Sequence, residues 1–234
     1  MHRLLLLRHA ATELTGVRLS GWTPGISLND EGRAQARALA RRLEPVRIDA
    51  LYSSPLERCV ETAEEVAGAR GLQVRVLADL GEVRYGDWTG RELKELAKEQ
   101  LWRVVQLHPS QARFPGGESL YEMQVRAVAA VERLRADHRG QTVAVASHAD
   151  VIKAVTAHYL GLHLDQFQRL VVGPASLTAI AFQPIPHLLR LNETGDETDL
   201  IPPSPPDGQA GAPPAGTTRT GAQAERQEVA RGDP

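Results

Sequence analysis

The 234-residue chain has a single cysteine, Cys59. That excludes an internal disulfide framework and every cysteine-rich zinc ligand set, and it points to a reducing, cytoplasmic setting. A surplus of charge is missing too, because 27 Lys and Arg stand against 29 Asp and Glu, a formal net charge of −2. Neutralising a nucleic-acid backbone or an anionic membrane surface needs a basic surplus, so neither partner is expected and any anion site must be local. Long apolar runs are also absent. Leu4 to Leu7 is cut off by Arg8-His9, too short for a secretion signal or a membrane span. Aromatic residues make up only 4% of the chain, which leaves little stacking surface for nucleobases.

What is present divides near residue 193. From Glu193 onward there is no aromatic residue, and seven of the 15 prolines fall there, six of them paired as Pro202-Pro203, Pro205-Pro206 and Pro213-Pro214. Such a segment buries too little apolar surface to offset its ordering entropy, so residues 193–234 are expected to form a Pro/Gly-rich disordered tail behind a folded domain, 1–192. Within that domain short apolar runs alternate with helical patterns, as in βα units around a largely parallel sheet. Leu4–Leu7, Ala50–Tyr52, Val74–Leu77, Val143–Ala146 and Leu177–Phe182 are the expected strands, with Leu188–Leu191 a sixth candidate. Asn29-Asp30 can cap a helix that ends at Pro45. Ser54-Pro55-Leu56-Glu57 and Ser119-Leu120-Tyr121-Glu122 both read as capping boxes, and Asp150 can cap a helix running to Gly161.

In an open α/β sheet, ligands bind beyond the carboxyl ends of the strands. There the sequence places Arg8-His9, then Ser53-Ser54 with Arg58 soon after, then Glu82, and finally Ser147-His148. Each has a bland reading alone: a strand-terminal histidine is often just a satisfied polar residue, and Arg58 could pair with Glu61 on a helix surface. Together they fit phosphoryl transfer through a histidine nucleophile. A neutral imidazole attacks phosphorus, arginine forks hold the equatorial oxygens, His148 adds another donor if it is protonated, and Glu82 protonates the departing alkoxide.

The motifs Leu-Leu-Arg8-His9, Tyr52-Ser53-Ser54-Pro55-Leu56-x-Arg58-x-x-x-Thr62-Ala63, Glu82-x-x-x-Gly86-x-Trp88-x-Gly90, Pro115-Gly116-Gly117-Glu118-Ser119 and Ser147-His148 occur in this order. The chain thereby resembles the histidine phosphatase superfamily, the phosphoglycerate-mutase-like proteins. That resemblance implies an α/β three-layer sandwich with a mostly parallel central sheet flanked by helices. It implies His9 as the phospho-accepting nucleophile, Arg8, Arg58 and His148 as the phosphate pocket, Glu82 as the proton donor, and no metal or other cofactor. Thr12 and Arg18 are weaker phosphate contacts, because the loop around them keeps only part of the family pattern. Ala10 and Ala149 stand where the family usually has glycine.

Other phosphatase chemistries fail on spacing. Glu65 occupies the place where a Cys-x5-Arg loop starting at Cys59 would need arginine, and there is no Gly-x4-Gly-Lys-Ser/Thr loop. Pro115-Gly116-Gly117 reads first as a turn, and His158 and His163 lack the partners of a metal site. The stretch Arg91–Phe114 reads as largely one amphipathic helix over the pocket, and Lys94, Lys98, Arg103 and Arg113 suit a solvated face better than a cationic clamp. Hydrolysis of a small phosphorylated metabolite is therefore favoured. A phosphoglycerate-type mutase and a non-catalytic phosphate-binding protein are the alternatives, and a homodimer is left open.

Overall fold

The computed structural model describes residues 1–68 and 70–195. Its strands are β1 (Arg3–Arg8), β2 (Ala50–Ser53), β3 (Val74–Val76), β4 (Thr142–Ser147), β5 (Leu177–Phe182) and β6 (Pro186–Glu193). They form one sheet in the order β3-β2-β4-β1-β5-β6. The ladders joining β3, β2, β4 and β1 are parallel, while β5 is antiparallel to β1 and β6 to β5. The four leucines of β1 show why both faces are covered. Leu5 and Leu7 pack with helices α1 (Asp30–Leu43) and α2 (Glu57–Gly68), whereas Leu4 and Leu6 pack with α5 (Leu120–Asp137) and α6 (Ala149–Tyr159). Alternate side chains of a strand point to opposite faces, so a strand buried on both sides reads as an unbroken apolar run. At ~1.5–3 kcal/mol for each fully buried leucine, this strand is a major contributor to the core. The expected three-layer α/β sandwich is thus the fold observed.

Several helix ends differ from expectation. Asn29 caps α1 through Gly32 N, and Ser119 with Glu122 forms the expected capping box on α5. The box at Ser54 does not form. Glu57, where α2 begins, accepts instead from Gly25 N at 2.9 Å. Ser54 Oγ lies 2.8 Å from His148 Nε2 and 3.3 Å from Leu56 N, so its stronger contact is across the sheet. At α6 the N-cap position falls to His148, which makes no side-chain cap. Asp150 is drawn away by Tyr85 and Lys153, and the helix stops at Tyr159 rather than at Gly161.

The expected helix over Arg91–Phe114 is broken into α3 (Leu93–Leu96), α4 (Gln100–Leu107) and a 3-10 turn at Pro109–Gln111. Tight bonds from Lys98 N to Glu95 O and from Glu99 N to Leu96 O close the first piece before the second begins. Strand β6 reaches Glu193, one residue past the expected boundary at 192, and residues 196–234 of the expected tail lie outside the described residues.

Candidate active site

The register of β1 on β4 pairs Arg8 with Ser147, so His9 and His148 leave neighbouring strand ends together. Their ring centroids are 5.3 Å apart. His9 Nδ1 lies 2.8 Å from the Ala10 carbonyl oxygen. A carbonyl only accepts, so the ring proton sits on Nδ1 and the lone pair on Nε2. Burial first, then the Arg58 and Arg8 guanidinium charges, lower the His9 pKa to about 3. His9 is therefore neutral across the physiological range.

His148 is fully buried, and burial followed by the charges of Arg58, His9 and Arg8 pushes its pKa well below the ordinary histidine value. These surroundings disfavour the charged ring that would make His148 an extra phosphate donor. Its Nδ1 is 3.4 Å from Arg58 Nη2 and 3.7 Å from Glu82 Oε2, while Nε2 faces Ser54.

Two arginines carry unused donors. Arg58 is 1% exposed and gives one bond, from Nη2 to Gly21 O at 2.9 Å, apart from its contact with His148. Its Nε and Nη1 have no partner, and neither has Arg8 Nε. Arg8 Nη1 is tied to Val172 O at 2.7 Å. A buried donor left unpaired costs ~1–3 kcal/mol, so such orphans mark a place built for an acceptor. The surface pairing of Arg58 with Glu61 does not occur, because Glu61 accepts from Leu28 N at 2.9 Å. Glu82 has its pKa raised to about 7, first by burial and then by the nearby Asp150 charge, against the pull of Arg58, the Val83 N–H and Arg8.

Arg8, His9, Arg58, Glu82, Tyr85 and Asp150 line one cavity of ≈ 210 Å³. His148 packs behind this lining. Arg18 reaches the rim, where it binds Gly90 O at 3.0 Å and Glu92 at 2.7 Å. Thr12 does not reach the cavity; its hydroxyl is 3.1 Å from that of Thr15, which does. Ala10 and Ala149 both keep negative φ, so neither position demands the glycine that the family usually has.

The support of Glu82 escaped sequence reading. Arg126, on α5, donates to Asp79 O, Gly81 O and Glu82 O at 2.8 Å each, and it grips Glu118 at 2.6 and 3.0 Å. Trp22 Nε1 donates to the same Glu82 carbonyl at 2.6 Å. The Pro115–Gly117 turn is structural, since a Cβ at Gly86 would collide with Pro115 O and one at Gly117 with Arg84 O. That turn holds the segment after Glu82 in place. The sequence signals were present, as a Gly pair and an arginine one turn beyond a capping box, but nothing local says that they converge. Among the described residues, no group of three or more His, Cys, Asp or Glu could hold a metal ion. No helix there is long and apolar enough to cross a membrane.

Paired histidines on adjacent strand ends, two arginines with free donors and a buried carboxyl define a histidine-based phosphoryl-transfer site. In agreement with it, residues 4–194 match the model of the histidine phosphatase superfamily (branch 1), and the chain belongs to that family. It is 34% identical to Phosphoserine phosphatase 1 of Hydrogenobacter thermophilus over 198 residues, covering 83% of this chain and 93% of that protein. Its fold is similar to that of mycobacterial glucosyl-3-phosphoglycerate phosphatase Rv2419c, with TM-score 0.74, 28% identity, and 82% of this chain and 99% of that one covered. Bacillus stearothermophilus YhfR is similar as well, with TM-score 0.77, 29% identity and coverage of 83% and 98%.

Proposed function

We propose that the chain is a cytoplasmic, metal-independent phosphomonoesterase that hydrolyses a small phosphorylated metabolite through a phosphohistidine. The observation that carries this reading is His9: neutral, with Nδ1–H fixed on Ala10 O and its Nε2 lone pair free, beside the unpaired donors of Arg8 and Arg58. His9 Nε2 forms a bond to phosphorus as the ester P–O bond breaks. Glu82, largely protonated below about pH 7, gives its proton to the departing alkoxide. Water then attacks the phosphohistidine while the Glu82 carboxylate takes its proton, which restores both residues. Arg8 and Arg58 hold the phosphoryl oxygens, His148 packs behind the pocket lining, and Arg18 stands at the rim, held by Glu92 and Gly90 O. Thr12 acts through the Thr15 loop rather than on phosphate.

Charge pairing favours hydrolysis over mutase chemistry. A mutase must hold the second acidic group of its substrate, yet Arg91 and Lys98 each have their own carboxylate partner and Arg18 and Lys94 share Glu92, all within 2.7–2.9 Å. The relatives named as phosphatases point the same way. Burst labelling with a generic phosphomonoester should leave an acid-labile phosphate on His9 and release free phosphate. An adduct elsewhere, full activity in His9→Ala, or sustained phosphoglycerate isomerisation with little free phosphate would overturn the reading.

A further inference from the structure

A second cavity, ≈ 180 Å³, adjoins the first, and Leu19, Tyr85 and Asp150 line both. Trp88, Trp102, Val105 and Phe114 complete its apolar wall. The whole chain holds only three Trp, four Tyr and three Phe. Four of these aromatic residues gather here, and they order one another. Trp88 and Trp102 stack at 6.2 Å, while Phe114 meets Trp88 at 5.4 Å and Tyr85 at 5.0 Å, edge to face.

The polar side of this chamber is satisfied from within. Lys153 Nζ lies 3.2 Å from Asp150 Oδ1 and 3.0 Å from Gln168 Oε1, and the Tyr85 hydroxyl donates to Asp150 Oδ2 at 3.1 Å. Its one lysine is therefore matched by its one carboxylate. At the rim, Arg18 and Lys94 share Glu92 and Arg91 holds Glu99. A carboxylate entering the chamber would lose water and find each nearby cation already engaged.

We propose that this chamber receives the alcohol part of the substrate, and that this alcohol carries an uncharged aromatic ring. The inference rests on the phosphatase reading above. The size is suitable, since an apolar cavity of about 150 Å³ admits benzene. Ring walls also reward a flat guest by edge-to-face and offset contacts that an aliphatic chain does not make. The walls shared with the phosphate pocket put the ring one short linker away from the phosphoryl group.

Steady-state kcat/KM for benzyl phosphate, ethyl phosphate and O-phosphoserine tests the proposal. Benzyl phosphate should exceed ethyl phosphate by roughly 10-fold or more and should also exceed phosphoserine. Trp102→Ala, which removes a wall, should reduce the benzyl-to-ethyl ratio by roughly 10-fold. Gln106→Trp fills the chamber from a half-buried wall position without removing a core side chain, and it should reduce the ratio similarly. A ratio is independent of the fraction of folded enzyme, so loss of stability alone cannot produce either result. A wild-type ratio near one, a preference for phosphoserine, or a ratio unmoved in both variants would overturn the proposal. Failure of the phosphatase reading looks different, because then none of the three esters phosphorylates His9.

Discussion

Glu82→Gln should make the protein more stable while stopping its chemistry. In the folded chain the Glu82 pKa is raised from 4.5 to about 7, chiefly by burial. Between those values the folded state keeps a proton that the unfolded chain has released, so stability falls as pH rises through the window. The cost is absent below about 4.5 and fully present above about 7. At ~1.4 kcal/mol per pH unit, this amounts to ~3 kcal/mol at pH 8. Glutamine keeps an oxygen for the Val83 N–H, now 3.0 Å from Glu82 Oε1, and it never ionises. Urea denaturation of both proteins at several pH values should show the variant ahead by ~3 kcal/mol at pH 8, or ~6–12 °C in Tm, with the gap closing near pH 4. Activity should fall by ~10²–10⁴-fold for a substrate with a poor leaving group. Equal stability at pH 8, or an advantage that grows toward acid, would refute the assignment of Glu82 as a carboxyl held protonated by its surroundings.

Ser54→Ala removes the 2.8 Å partner of His148 Nε2. It should reduce kcat about 10-fold with little change in KM, as one lost buried hydrogen bond implies; unchanged kcat would show that Ser54 does not hold the ring. Arg126→Gln strips the clamp from the Glu82 segment and leaves Glu118 without its ion-pair partner. Both side chains are less than one-fifth exposed, at 18% and 12%, so the loss should be about 3 kcal/mol by urea denaturation, together with a lower kcat. A change below ~0.5 kcal/mol, typical of ordinary surface substitutions, would refute that role.

The central strands were legible because β1, β2, β4 and β5 are short buried runs, mostly apolar, and their carboxyl ends announced Arg8, His9 and His148. Helix ends were less so. Ser54 and Asp150 have the right chemistry for caps, but each has a tertiary partner, His148 and Tyr85 respectively, that no local pattern reveals. The break at Ala97–Glu99 is similar: no Pro or Gly marks it, and what stops α3 is tight local hydrogen bonding. Protonation was legible only in part: the chemistry requires Glu82 to start as the acid, but the burial that keeps it protonated is a tertiary property. For His148, burial first and then the charges of Arg58, His9 and Arg8 disfavour a protonated ring before any anion arrives, and no local pattern reveals those neighbours. Arg126 was missed since three of its targets are backbone carbonyls, which every residue possesses, and its carboxylate partner Glu118 lies eight positions away, outside the spacing of neighbours on a helix face.

The pairing of Arg8 with Ser147 also makes the enzyme a gauge of its own assembly. A slip of one position between β1 and β4 would exchange the two leucine faces and turn the side chains of one strand end to the opposite face. Molecules misaligned in this way could remain compact and rich in sheet yet leave no phosphate on His9. The amplitude of the phosphohistidine burst, divided by protein concentration, would therefore count correctly threaded chains in a refolding experiment, where spectroscopic sheet content would count both.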